Sequence, residues 1–401
     1  MTSVFHITLS PVLFLLKCMG ILDISYTMES TGLLVKNINS RFPAFLERAR
    51  MIVLLICTYI YFNQYGPEFY ILQIINIFKF WSVIIAARLS TIWIIKFING
   101  IIEFDQKIDP LSSHLLIPQR SWKKIQWNTI FVSLFAYFIG FKILQLHFGP
   151  LKTITIELLI HHVLFTIPYA MDYVVVISLC FFLQNVYVRF QTLNDLWKCL
   201  PADLVPFSDQ WTHIEIVILM ENTRLLHAEL CDLLKMFTLG YGTMLLSFFI
   251  FSFNNMLFSV YVVLNSYELS GSNANTNVFK NMLMLSIYAQ CVTFLMSIIT
   301  FVSFINKKRL EMISYLRLYR ISILHLDIKR QIKMFMNQIS VCYSDQISAF
   351  GFFDINLNLV TSVLVLLISG TITLIQMKDH PMILKLNNDT YSFFQKLSNR
   401  K

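Results

Sequence analysis

The chain has 401 residues, of which 56% are hydrophobic and only 14% are charged, and its mean hydropathy is +0.62. A soluble protein of this size does not carry so many apolar residues, so the composition argues against a soluble fold. The apolar runs are long and continuous rather than alternating, which argues against a membrane β-barrel. We therefore predict an all-α, polytopic helical membrane protein.

The net charge of +9 does not indicate a nucleic-acid partner, because the basic residues lie between the apolar runs, where membrane topology explains them. The seven cysteines are scattered, without a CxxC pair or a His/Cys cluster, so we predict no metal site, no cofactor and no disulfide framework. His161 and His162 are adjacent, and adjacent residues point in different directions on a helix, so we do not expect them to bind one metal ion together. Phosphate-loop, HExxH and Gly-x-Ser-x-Gly motifs are absent, so we predict no enzyme.

The succession of polar and apolar stretches along the chain predicts an N-terminal segment followed by six membrane spans, with a seventh near the C-terminus. Residues 1–48 are mixed and mildly basic, and residues 49–306 hold spans 1 to 6 with helical extensions on the cytoplasmic side. We place the spans at about residues 49–63, 69–88, 128–146, 158–187, 238–264 and 282–305. Residues 101–124, with Pro110 and Pro118, are expected to form a polar loop.

Two amphipathic helices are predicted outside the spans. The first precedes span 5 and has one apolar face made of Leu219, Leu226, Leu230, Leu233 and Phe237. The second lies within the basic cytoplasmic stretch at residues 307–349, and its apolar stripe is Ile332, Met336, Ile339 and Tyr343. These apolar faces must be covered, either by other helices of the same chain or by another subunit. Lys329, Arg330 and Lys333 offer a second role for the latter helix, contact with anionic lipid headgroups.

The seventh span, at residues 350–377, carries polar residues at helical spacing. Asn358, Ser362, Ser369, Thr373 and Gln376 share one stripe. A polar stripe that faced lipid would be costly, so it should face protein or water. Two interpretations remain open. The helix packs in a bundle through its hydroxyl groups, or it lines a pore with Ser362, Ser369, Thr373 and Gln376.

The distribution of positive charge predicts the orientation. Lys and Arg concentrate after spans 2, 4 and 6, whereas the loops after spans 1, 3 and 5 hold little beyond Lys152 and Lys280. The positive-inside rule then places the N-terminus in the cytoplasm and, after seven spans, the tail at residues 378–401 outside. This is the reverse of a G-protein-coupled receptor. The glycosylation sequon at residues 388–390 lies in the tail predicted to be outside.

Charged residues inside the spans are the next informative feature. The side chain of Asp172 is too short to reach the membrane surface, so we expect it to face the bundle interior and to pair with Lys79 or a hydroxyl. Lys142 is expected to extend to the surface instead. The Asp172 pair is equally consistent with a structural role and with a place in a ligand site.

The outer halves of spans 2 to 6 supply the side chains that a small-molecule pocket needs, aromatic walls with a few polar groups. Besides Asp172, the candidates are Trp81, His162, Tyr169, Tyr173, Asn254, Asn255, Tyr288 and Gln290. Packing or membrane-interface roles are the alternative for each, because aromatic residues make up 15% of the chain.

The last span also carries a family resemblance. It opens with the phrase SAFGFFDIN at residues 348–356 and closes on Ser369-Gly370, five further residues, and Gln376-Met377. This resembles the insect gustatory receptor family, whose last helix opens on a Gly-Φ-Phe-Asp-like phrase and closes on Thr-Tyr, five hydrophobic residues and Gln-Phe. Here Ser, Gly and Met replace Thr, Tyr and Phe, while the spacing and the Gln are kept.

The resemblance implies an insect chemoreceptor with this inverted seven-span layout in the plasma membrane of a sensory neuron. It implies a ligand-gated, non-selective cation channel, a homo- or heterotetramer whose cytoplasmic helices form an anchor where four subunits meet around span 7. A small-molecule tastant would bind among the outer halves of spans 2 to 6. Two alternatives are kept: a secondary transporter, disfavoured by the odd span count and the lack of an inverted repeat, and a pore-free signalling receptor.

Overall fold

The structure is a computed structural model, and it describes residues 4–29, 31–36, 41–64, 70–114, 124–147, 167–201, 212–266, 274–318, 324–342 and 346–377. Almost all of these residues are helical. The described helices are α1 Val4–Cys18, α2 Arg41–Gln64, α3 Tyr70–Leu89, α4 Thr91–His114, α5 Lys124–His147, α6 Ile167–Lys198, α7 His213–Ser266, α8 Ala274–Leu318, α9 Leu326–Cys342 and α10 Asn358–Met377. A small antiparallel hairpin, β1 Tyr26–Met28 and β2 Leu34–Lys36, follows α1.

Helices of at least 20 residues lie at all seven predicted spans, namely α2, α3, α5, α6, α7, α8 and α10. Among the described residues, α6, α7, α8 and α10 are long and apolar enough to cross a membrane, and α3 with α4 counts as a fifth such element with a 66° bend. The predicted polytopic helical bundle is therefore confirmed. The β1–β2 hairpin is an addition to the all-α prediction.

The bend lies at Ser90, between α3 and α4. The expectation of a polar loop over residues 101–124 is wrong for residues 101–114, because α4 continues to His114 and buries Ile101, Phe104 and Ile108. These apolar residues recur at i, i+3 and i+7, the spacing of one helix face, which outweighs the loop signal of Pro110. The bend lets α4 leave the direction of α3 and pack along α7.

The 54-residue helix α7 is the centre of the bundle and packs against α3, α4, α6, α8, α9 and α10. Its predicted apolar face is confirmed, because the exposed fractions of its five residues lie between 0 and 7%. The face ends in an aromatic cluster where the Phe97 ring lies 5.2 Å from the Phe237 ring and 5.6 Å from that of Phe182. Beside it, the Arg189 guanidinium donates two hydrogen bonds to Asp105, at 2.9 and 2.5 Å, and joins α6 to α4.

The helix α9 packs on α7 and α8 through a stripe that differs partly from the predicted one. Ile332 and Ile339 are buried as expected, while Phe335 is buried in place of Met336, which is half-buried. Tyr343 lies outside the described residues. The Phe335 ring contacts His227, in the part of α7 before the predicted span 5. Burial, reinforced by Arg309, lowers the pKa of His227 to about 4, so this side chain is a neutral core residue at pH 7.

A close helix crossing provides a test of the packing between α7 and α4. A Cβ atom on Gly240 would lie 3.0 Å from the backbone nitrogen of Ile94, which cannot move without shifting α4. We therefore expect Gly240→Ala to destabilise the fold by about 1–3 kcal/mol, the usual effect of overpacking. Gly140→Ala in α5 is the matched control, because a Cβ atom there meets nothing within 4 Å. Thermal unfolding of the detergent-purified variants measures both, and equal melting temperatures would contradict this crossing.

Candidate ligand site and pore helix

An ion pair between Lys79 of α3 and Asp172 of α6 lies inside the helical bundle. Lys79 Nζ is 2.6 Å from Asp172 Oδ2, and the two side chains are 0% and 6% exposed. Taking a charge out of water costs several kcal/mol, so each of these side chains needs the other to be accommodated. The expectation that Asp172 faces the interior and pairs with Lys79 or a hydroxyl is confirmed, and Lys79 is the partner.

Further polar side chains on α3, α6, α7 and α8 surround this pair. Gln290 Oε1 accepts hydrogen bonds from the hydroxyl groups of both Tyr169 and Tyr173. On the other side, Asn255 Nδ2 donates to Asn76 Oδ1 at 3.2 Å. The interhelical polar cluster, as we call this group, consists of Asn76, Lys79, Tyr169, Asp172, Tyr173, Asn255 and Gln290. Each of these seven residues is less than 7% exposed.

Several buried polar atoms in and beside the interhelical polar cluster have hydrogen-bonding capacity that the described residues do not use. They are both amide atoms of Gln73, Oδ1 of Asp172 and Oδ1 of Asn255. The large majority of buried side-chain polar atoms in proteins have a partner, so four such atoms in one region call for an explanation. The region is therefore suited to hold a polar group of another molecule.

Aromatic rings enclose the tyrosines of this cluster. Phe141 of α5 stacks on Tyr169 with centroids 5.7 Å apart, while Phe138 of α5 and Phe294 of α8 both meet the Tyr173 ring edge-on at 5.1 Å. A cavity of about 540 Å³ between α1, α5 and α6 extends to Tyr173. Its walls are largely apolar, including Phe14, Phe131, Phe135 and Ile177. Tyr173 thus has its ring in an apolar wall and its hydroxyl in the interhelical polar cluster.

The structure brings some of the sequence-predicted ligand residues together and leaves others apart. Tyr169, Asp172 and Tyr173 lie in the interhelical polar cluster. Trp81 and Tyr288 are half-buried against the apolar core and make none of the hydrogen bonds described above. Asn254 is exposed, and its neighbour Asn255 is the residue that turns inward. His162 lies outside the described residues, as does the side chain of Lys142.

Two participants on α3, Gln73 and Asn76, are absent from the sequence-based candidates. Both are buried, with exposed fractions of 2% and 4%. A signal for them exists, because Gln73, Asn76 and Lys79 recur every third residue within an apolar span and so lie toward one side of the helix.

The helix α10 has three distinct faces. One packs on α7, where Leu367 is buried and a Cβ atom on Gly370 would lie 3.1 Å from Leu257 Cδ1. A second face is exposed and polar, and it holds the four predicted pore residues, Ser362, Ser369, Thr373 and Gln376. A third face is exposed and apolar, and it holds Leu364, Ile368, Ile372 and Ile375, which are 45–61% exposed.

The phrase that carries the family resemblance forms a tight turn before α10. The Ala349 N–H donates a hydrogen bond to the Phe353 carbonyl, and the Ile355 N–H donates one to the Ile347 carbonyl. At its tip Phe350 and Gly351 both have positive φ, at 52° and 77°, a conformation that glycine adopts at no steric cost. The turn packs against α7, because a Cβ atom on Gly242 would lie 3.0 Å from the Phe350 backbone nitrogen. The start of α10 is therefore fixed to the central helix.

Comparisons with known proteins agree with this architecture. A family model described as 7tm Chemosensory receptor matches residues 9–380. The solved structure of the insect olfactory receptor OR5 from Machilis hrabei is similar to this chain, with a TM-score of 0.51 and 13% sequence identity. The similarity covers 93% of this chain and 100% of that chain, and at this identity it shows the fold alone. No curated protein matches the chain. The resemblance to insect chemoreceptors is confirmed, and the chain belongs to the 7tm chemosensory receptor family.

Proposed function

We propose that this receptor is a gustatory receptor of the plasma membrane and acts as a ligand-gated, non-selective cation channel that a small-molecule tastant opens. The observation that carries the proposal is the polar stripe of α10, which is exposed on a face that does not pack against the described residues of its own chain. Exposed polar residues on a membrane span require water or another subunit beside them.

The alternative role for the stripe was packing within the bundle, and the contacts of α10 disfavour it. Among the described elements α10 packs chiefly on α7, and it does so through Leu367 and Gly370 rather than through the stripe. Ser362, Ser369 and Thr373 donate their hydroxyl hydrogens to carbonyl groups of their own helix, at 2.9–3.3 Å. Their oxygen lone pairs remain available on the exposed face, which suits contact with hydrated cations.

The expected selectivity follows from the composition of the stripe. Gln376 is a neutral polar group, and the stripe contains no carboxylate. Ion discrimination by side chains depends on rings of charge or closely spaced dipoles, so a pore lined in this way should pass monovalent cations with little preference.

A pore around α10 requires several copies of the chain, and we propose a homo- or heterotetramer. Two exposed apolar surfaces support contacts between subunits. One is the third face of α10, and the other lies on α7, where Ile214, Ile218 and Leu225 are 50–68% exposed. In this arrangement residues 1–48 and 307–349 are cytoplasmic and residues 378–401 are extracellular. Residues 307–349 form much of the cytoplasmic anchor where the four subunits meet, beside membrane lipid.

The tastant site is proposed at the interhelical polar cluster and the aromatic rings that enclose its tyrosines. The unused polar atoms and the aromatic walls fit a molecule with an apolar body and a polar end. The site is built from α3, α6, α7 and α8. The turn before α10 packs against α7, so α7 links the site to the proposed pore helix. A tastant that binds the open arrangement of these helices more tightly shifts the channel toward the open state.

Replacing Gln290 tests this assignment. Gln290→Leu removes an acceptor that two buried tyrosine hydroxyl groups share, and the loss of a hydrogen-bond partner inside a protein costs about 1–3 kcal/mol. We expect the half-maximal tastant concentration to change at least about tenfold, the equivalent of 1.4 kcal/mol. Concentration–response curves of the current measure it. Gln338→Leu in α9 is the control. It breaks a hydrogen bond with Arg224 of α7 at a distance from the site. An unchanged curve at normal surface expression would contradict the assignment.

The experiment that tests the function as a whole is whole-cell recording from cells that express the chain, screened against pooled tastants. We expect an evoked current whose reversal potential changes little when external Na⁺ is replaced by K⁺. Uptake of tastant coupled to an ion gradient would support the transporter alternative. A tastant-evoked second-messenger response without any conductance would support the pore-free receptor, and either outcome overturns the proposal.

A further inference from the structure

Three metal-binding side chains lie together at the predicted cytoplasmic end of the bundle, away from the interhelical polar cluster. His213 is the first residue of α7, while His325 and Asp327 lie at the start of α9. One nitrogen of each histidine and one carboxylate oxygen all lie within 4.8 Å of one another. The three residues come from two segments that are separated by more than a hundred positions, so the sequence showed no cluster.

The distances fit ligands of one metal ion better than they fit hydrogen bonds. A single carboxylate oxygen of Asp327 lies 3.8 Å from Nε2 of His213 and 3.5 Å from Nδ1 of His325. Both separations exceed the 2.7–3.2 Å of an ordinary N–H···O hydrogen bond. Two donors on one tetrahedral ion with bonds of about 2.1 Å lie about 3.4 Å apart, so small side-chain rotations bring all three donors into place.

The ligand set indicates the class of metal. Two imidazoles with one carboxylate suit zinc and its neighbours in the first transition series, whereas calcium and magnesium take oxygen ligands. The side chains of His325 and Asp327 are each 63% exposed and that of His213 is 31% exposed. Solvent therefore reaches the site, and water can supply the fourth ligand.

We propose that His213, His325 and Asp327 bind a zinc-class ion that fastens the start of α9 to the start of α7. The helix α9 leads through the turn at residues 346–357 to α10, so an ion at this place acts on the segment that precedes the proposed pore helix. Two helix N-termini with partial positive charge meet here and oppose a cation. The acids of their first turns, Glu215 and Asp327, offset this effect.

Calorimetric titration of Zn²⁺ into the purified full-length chain, without a polyhistidine tag, tests the proposal. We expect one ion per chain, and a loss of affinity of at least about tenfold in Asp327→Asn and in His213→Ala. Asp232→Asn, an exposed acid further along α7, is the matched control and should bind as the native chain does. All variants keep every cysteine, so zinc held by thiols would not change between them.

Hydrogen exchange provides the second measurement. Zn²⁺ is expected to slow exchange of the amides in the first turns of α9 in the native chain and in Asp232→Asn, but not in Asp327→Asn. Matching exchange of native and Asp327→Asn chains without zinc establishes that the variant is folded. Absence of zinc binding, equal affinity in Asp327→Asn, or unchanged exchange at α9 each overturns the proposal and leaves these three side chains as neighbours without a metal-binding role.

Discussion

Replacing Gln376 with lysine is expected to suppress the tastant-evoked current by more than about tenfold. If α10 lines the pore, each subunit then places a positive charge in the path of the cations. One such charge at about 8 Å and an effective dielectric constant of about 20 repels a monovalent cation by about 2 kcal/mol. That energy corresponds to roughly a thirtyfold change in the local cation concentration, before the other subunits are counted.

Whole-cell currents, normalised to the amount of receptor at the cell surface, measure this effect. Gln376→Ala is the matched control, because it removes the amide without adding charge and should leave a current within about a factor of three of the native one. A full current in the lysine variant at normal surface expression would place Gln376 outside the permeation path.

Breaking the buried ion pair is expected to have the largest effect on stability. In Lys79→Met the carboxylate of Asp172 stays in the bundle interior without its cation, and removing one partner of a buried pair costs about 3–5 kcal/mol. The variant should therefore melt at a clearly lower temperature in detergent and reach the cell surface in smaller amounts. Thermal unfolding followed by size-exclusion chromatography measures the first effect.

A double variant separates the pair from the packing around it. Lys79→Met with Asp172→Leu removes both charges, so it should be more stable than Lys79→Met alone. Lys107→Met is the control, because the Lys107–Glu229 pair has similar geometry, at 2.7 Å, but its lysine is 57% exposed. An exposed pair contributes about 0–1 kcal/mol, so that variant should melt near the native temperature. Equal losses in Lys79→Met and Lys107→Met would contradict a buried pair.

The features that were predictable from the sequence are those that depend on which side chains the apolar interior of a membrane accepts. Long apolar runs predict spans, and helices occur at all seven of them. The partner of Asp172 was predictable because a short carboxylate inside a span has few ways to avoid an unpaired charge. The face of α7 that begins at Leu219 was predictable because five apolar residues share one side of a helix over five turns.

Features that depend on how helices meet were not predictable in the same way. Asn254 and Asn255 differ by 100° around α7, and only the packing against α3 selects Asn255 as the inward residue. At residues 101–114 the loop signal of Pro110 competed with the helical spacing of the apolar residues, and the contact of α4 with α7 decides in favour of the helix. His213 and Asp327 meet because α9 packs on α7, and no local pattern records that contact.

The central claim is that the polar stripe of α10 lines a pore, and two adjacent residues test it most directly. Ser369 belongs to the stripe and Ile368 to the apolar exposed face, at nearly the same height on the helix. Each is replaced by cysteine, and a positively charged thiol reagent is applied during the tastant response, with the native chain as the control for its own cysteines. We predict that the reagent blocks the current of Ser369→Cys and leaves those of Ile368→Cys and the native chain unchanged. Block of Ile368→Cys with no effect on Ser369→Cys would contradict the pore assignment.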